Sequence, residues 1–143
     1  MQLDASQIMA LGVHVHPDVV TYATVPSGVT VRDVVGDAGL DAVIASVQEP
    51  EGLSLLVPID VVEDLCGVVS SGFRSRLVSL SATTPLDGVG LTAAVSGLLA
   101  EAGIPCNMIA GHCHDHLVVP ENDLSAVLEI LAAGGSTGVL DAD

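Results

Sequence analysis

Arg76-Leu77-Val78-Ser79-Leu80-Ser81-Ala82-Thr83-Thr84-Pro85-Leu86-Asp87-Gly88-Val89-Gly90-Leu91 is the stretch on which the fold turns. From Arg76 to Thr83, Leu77, Ser79 and Ser81 alternate with Val78, Leu80 and Ala82, the period of a strand. Pro85 to Gly90 then sets one proline and two glycines close together, which marks a turn. From Leu91 to about Ala102 the period changes. Leu91, Val95, Leu98 and Leu99 share one helix face, and Gly103 supplies a glycine to end the helix.

Working outward toward the C-terminus, Pro105 to Ala110 reads as a second strand. Gly111 to Cys113 is a hairpin connection, and Asp115 to Val119 a third strand. Pro120 falls near the first turn of a helix, where its missing N–H costs nothing. Glu121 and Asp123 complement the positive end of that helix. Leu124, Val127, Leu128 and Leu131 fall at i, i+3, i+4 and i+7. Gly134-Gly135 ends the helix, and Val139-Leu140 reads as a short last strand. The order is strand, helix, strand, strand, helix, strand. This is an α+β, ferredoxin-like βαββαβ module.

Toward the N-terminus the pattern repeats in degraded form. Glu49 to Leu65 and Gly111 to Leu124 each give a turn, an apolar strand ending in Val-Pro, and an acidic helix start. Tyr22-Ala23-Thr24-Val25-Pro26 matches Leu80 to Pro85 as a strand closing on proline. Two matched features in one order point to a duplicated unit. Val20 to Val25 and Asp41 to Val47 read as strands, and Gln2 to Leu11 as a helix. Val29 to Leu40 is a poor helix because Gly36 and Gly39 interrupt it. Ser70-Ser71-Gly72 marks the boundary. The expected organisation is two tandem units, a degenerate one over 1–70 and a regular one over 73–143.

The chain has 143 residues, with 18 acidic side chains, three arginines and no lysine, for a net charge of −15. Such a surface repels phosphate backbones and anionic membranes, so nucleic-acid and membrane partners are not expected. It fits either a plain acidic protein or a halophilic one adapted to high internal salt. Tyr22 and Phe73 are the only aromatic residues, which weighs against stacking sites. No run approaches the roughly 20 apolar residues of a membrane helix, and Met1 to Leu11 lacks the features of a secretion signal. Cys66, Cys106 and Cys113, an odd number in apolar surroundings, fit free thiols in a reducing cytoplasm.

Three segments carry a family resemblance: Pro85 to Val95, Gly103-Ile104-Pro105-Cys106-Asn107-Met108, and His114-Asp115-His116-Leu117-Val118-Val119-Pro120. They resemble ACT-domain proteins of the DUF2241 type, with the tandem ACT domains of CASTOR-type arginine sensors as more distant relatives. The resemblance implies regulatory binding of an amino acid or similar metabolite at an interface between ACT units. It also implies a homodimer, no cofactor and no catalytic residues. The chemistry of the residues agrees. A glycine-rich turn feeding a helix start exposes backbone N–H groups that suit a carboxylate. That puts Asp87, Gly88, Val89, Gly90 and Leu91 around an α-carboxylate and Asp115 near an α-ammonium. Asn107 offers a polar edge, and Thr84 and Met108 complete the candidate set.

Two other readings compete. His14 and His16 form one histidine group, and His112, His114 and His116 form another. Alternate residues of a strand share a face, so His112, His114 and His116 could hold a metal ion. No H-E-x-x-H or paired C-x-x-C accompanies them. The third reading is a structural oligomerisation module without a ligand. Signatures of nucleophilic hydrolases, phosphate loops and dinucleotide sites are absent.

Overall fold

The computed structural model describes residues 12–63, 65, 67–80, 86, 87 and 89–133. Several expectations lie outside these residues: the helix at Gln2 to Leu11, the end of the strand at 81–83, the last strand at Val139-Leu140, and Cys66, Thr84 and Gly88. The chain divides into two compact units. The first spans 18–75, and the second joins 76–133 to the N-terminal residues 12–17.

In the first unit, β2 (Val20–Pro26) leads through α1 (Val31–Asp41) to β3 (Ala45–Glu49) and β4 (Gly52–Pro58), then through α2 (Ile59–Val62) to β5 (Val69–Ser70). β4 lies antiparallel between β3 and β2, and β5 pairs with β2. The strand order is therefore β5-β2-β4-β3. Thr30 starts α1 by accepting a hydrogen bond from the Asp33 N–H on its Oγ1, the usual way a first-turn donor is satisfied. Gly36, at φ 73 and ψ 175, breaks α1 in two. A Cβ on Gly39 would stand 2.7 Å from Val35 Cβ and 3.2 Å from Val61 Cγ1, so this glycine lets α1 close down on α2. Ala23, Val25, Leu55, Val57 and Val62 form the buried core. The helix extends to Asp41, so the strand expected at Asp41 to Val47 starts later, at Ala45.

In the second unit, β6 (Ser75–Leu80) leads through α3 (Leu91–Glu101) to β7 (Asn107–Ala110) and β8 (Asp115–Pro120). A 3-10 turn at Glu121–Asp123 then opens α4 (Leu124–Ala133). β8 lies between β6 and β7. The remaining place beside β6 is taken by β1 (Val13–Val15), antiparallel, with Val13 opposite Leu80 and Val15 opposite Val78. The order β1-β6-β8-β7 matches that of the first unit. The N-terminal strand here stands where β5 stands there. The N-terminal segment, expected with the first unit, thus completes the sheet of the second.

The register fixes the two faces of this sheet. Val13, Val15, Val78, Leu80, Leu117 and Val119 face Leu91, Val95 and Leu99 of α3 and Val127 and Leu131 of α4 in one buried cluster. The stripe expected on α4 is the buried one. α3 ends in a Schellman motif: Gly103 at φ 73 donates to Ala100 O and Ile104 donates to Leu99 O, which satisfies the last carbonyls. Both units are ferredoxin-like. Among the described residues, no helix is long and apolar enough to cross a membrane.

Candidate functional site

The turn before α3 is built by Gly90. At φ 109 it occupies a backbone region that side chains disfavour. It sits at the N-cap, its carbonyl accepts from the Ala94 N–H at 2.9 Å, and among the described residues no side-chain cap is formed there. Glycine has no side chain with which to take up the first N–H groups of α3. The equivalent start in the first unit is closed by the Thr30 hydroxyl. Asp87 and Val89 are exposed beside the turn, and Leu91 turns its side chain into the core. Leu91 can therefore offer only its backbone.

The β7–β8 hairpin distributes the other candidates. Ala110 stands opposite Asp115, Met108 opposite Leu117, and Asn107 opposite Val118. Asp115 and Met108 therefore belong to the helix-covered face with Leu117. Asn107 belongs to the other face. Met108 packs against the buried cluster, and Asp115 is half-buried. The register puts Asp115 and Met108 on the helix-covered face of the sheet and Asn107 on the opposite one.

The histidines do not gather as one metal site. Among the described residues, no group of three or more His, Cys, Asp or Glu side chains is placed to hold a metal ion. His112 is exposed, and His114 and His116 are half-buried. His116 instead meets Ser79, with Nδ1 2.6 Å from the Ser79 Oγ. Burial lowers the His116 pKa first, and His114 lowers it further, while Asp115 acts in the opposite sense. Gly111 turns the hairpin, its N–H donating to His114 O at 2.9 Å. A Cβ there would stand 2.8 Å from that oxygen and 3.2 Å from His116 Nε2. Ser79 was not singled out by the sequence, because nothing local to a strand serine shows which residue stands across the sheet.

A family model described as ACT domain matches residues 62–133, half of the chain. The chain belongs to the ACT-domain family. ACT domains are regulatory modules that bind small molecules. No curated protein matches this chain. Among solved structures, it is similar to a Vibrio cholerae protein of unknown function, described as a possible transport protein. That match has 31% identity and a TM-score of 0.71, and covers 89% of this chain and 91% of that one. An Agrobacterium tumefaciens protein matches at 19% identity and a TM-score of 0.71, over 93% of each chain. The ligand-free regulatory subunit of aspartate kinase from Thermus thermophilus matches at 13% identity and a TM-score of 0.59, over 87% of this chain and 97% of that one. The last two show that the tandem fold is shared.

Proposed function

We propose that this ACT protein is a non-catalytic sensor of an amino acid, of the DUF2241 type and acting as a homodimer. One observation carries the reading: α3 begins at Gly90, whose N-cap position carries no side-chain hydrogen bond, whereas the matching helix of the first unit is capped by Thr30. The first N–H groups and the positive end of the helix receive the α-carboxylate. Asp87 and Asp115 offer negative charge to the α-ammonium. Thr84 and Gly88 belong to the same turn in sequence, Val89 borders it, and Met108 supplies apolar surface. Asn107, on the opposite face, stands apart from this set. Aspartate kinase regulatory subunits share the fold, which supports a regulatory role.

A thermal-shift screen of the full chain against the free amino acids tests this. A ligand that binds only the folded state stabilises it by about 2.7 kcal/mol at a hundredfold excess over Kd. One amino acid should raise the Tm, and its methyl ester should not. Silence across the whole set would instead leave the structural oligomerisation module as the better reading.

A further inference from the structure

Two helices hold the same place in the two units, yet they are fastened differently. α1 and α3 have 11 residues each, and each links two strands of its own sheet, β2 to β3 and β6 to β7. α3 buries Leu91, Val95 and Leu99, about one side chain per turn. In α1 the one buried residue is Gly39, which has no side chain to sink into the core.

The break at Gly36 divides α1 into residues 31–35 and 37–41. At φ 73 and ψ 175, Gly36 lies in a backbone region essentially closed to other residues. A Cβ placed there would meet nothing within 4 Å, so no neighbouring side chain pins the break. Each piece is far shorter than the roughly 12–15 residues at which a helix begins to hold by itself in water. Each therefore depends on what it touches.

The contacts of the two pieces differ. Residues 37–41 are tied down at their end: Ala42 N–H donates to Gly39 O at 3.1 Å, Val43 N–H to Leu40 O at 3.2 Å, and Ile44 N–H to Leu56 O of β4 at 2.8 Å. Gly39 also closes on Val61 of α2. Residues 31–35 have the Thr30 cap and the half-buried Val31 and Val34, which lie against the cluster of Ala23, Val25, Leu55, Val57 and Val62. Two contacts cross the break. Val35 packs on Gly39, and Arg32 Nε lies 3.0 Å from Asp37 Oδ1. Side chains that meet on an unbroken helix are three or four residues apart. Arg32 and Asp37 are five apart, so this ion pair belongs to the bent form of α1.

We propose that residues 31–35 are a hinged flap on the first unit, swinging on Gly36 and latched shut by Arg32 and Asp37. Opening releases the Thr30 cap, Val31 and Val34, and uncovers part of the apolar cluster beneath them. The flap is independent of the turn at Gly90.

Amide hydrogen exchange of the full chain, resolved by NMR, tests the flap. A local opening exposes little surface, so the exchange it governs depends weakly on denaturant. Val34 and Val35 should exchange about tenfold faster than Leu40 and Asp41, and with a smaller urea dependence than Val95 and Leu99 of α3. Arg32→Gln and Asp37→Asn each remove the latch, and each should speed exchange at Val34 and Val35 about twofold at low salt. The two variants change the net charge in opposite directions, so a general charge effect would shift the rates in opposite senses. In about 1 M KCl the wild type and both variants should converge, because the latch is screened there. Equal exchange in the two pieces of α1, a urea dependence as steep as that of Leu99, or opposite shifts in the two variants would each overturn the proposal.

Discussion

Pro58 and Pro120 adopt the same backbone geometry, φ −54 and ψ 138 in one and φ −56 and ψ 139 in the other. Each closes the central strand of its unit and stands directly before a helical turn. Before each lies a buried valine, Val57 and Val119, held extended by the proline that follows. The duplication is thus visible in dihedral angles as well as in strand order.

Both prolines fit their places without strain, so each stabilises the fold mainly by restricting the unfolded chain. Pro58→Ala and Pro120→Ala should each cost about 0.4–1 kcal/mol, read as a lower urea midpoint at unchanged slope. An unchanged midpoint for either would mean that its φ is not set by the ring.

The Val-Pro repeat was legible because proline and buried valines leave a local signature. The α4 stripe was legible for the same reason, since Leu124, Val127, Leu128 and Leu131 repeat within one helix. β1 was not, although Val13-His14-Val15-His16 alternates as a strand should. It is three residues long, and its pairing with β6 depends on a partner remote in sequence. The split of Asn107 from Asp115 was hidden likewise, because the face each belongs to follows from register across the hairpin. Gly36 is legible in the sequence as a weakness of α1, and in the structure it is a break between two short helical pieces.

Gly90 and Gly103 flank α3 with positive φ, at 109 and 73. Alanine at either should cost about 1–2 kcal/mol, the penalty of a left-handed backbone with a Cβ. A Cβ at Gly103 meets nothing within 4 Å, so that cost is backbone strain alone. The two variants then separate stability from binding. Gly90→Ala should abolish the amino-acid response, and Gly103→Ala should keep it at equal loss of Tm. Loss of the response in both would place it elsewhere than the turn.

The His116 imidazole is held below its ordinary pKa of 6.5, chiefly by burial. The unfolded chain therefore takes up this proton more readily than the folded one. The contribution to stability is present above that value and is lost as the pH falls through it toward the lower folded pKa. Wild type should lose stability from pH 7.5 to 5 relative to His116→Gln, as measured by urea unfolding at fixed high salt. Parallel profiles would show that His116 titrates alike in both states.

Cys106 is half-buried against the core cluster, and burial raises its thiol pKa. Cys113 is exposed at the hairpin tip. The thiolate is the reactive form, so in a Cys66→Ser background iodoacetamide should modify Cys113 well before Cys106, by peptide mass analysis at neutral pH. Matching rates in native protein would mean that the β7 end of the sheet opens on the labelling time scale.

Self-repulsion should dominate the salt response. With a net charge of −15, like charges act over about 10 Å at 0.1 M salt and about 3 Å at 1 M. The Arg32–Asp37 ion pair, 3.0 Å long, is well exposed on both sides, so screening it costs little. The Tm should therefore climb with KCl up to 1 M, and NaCl should act equally if screening alone is responsible. A larger gain in KCl than in NaCl would favour a halophilic surface with specific cation binding. A flat profile would exclude both, since it would require the carboxylates to be no closer together in the folded chain than in the unfolded one.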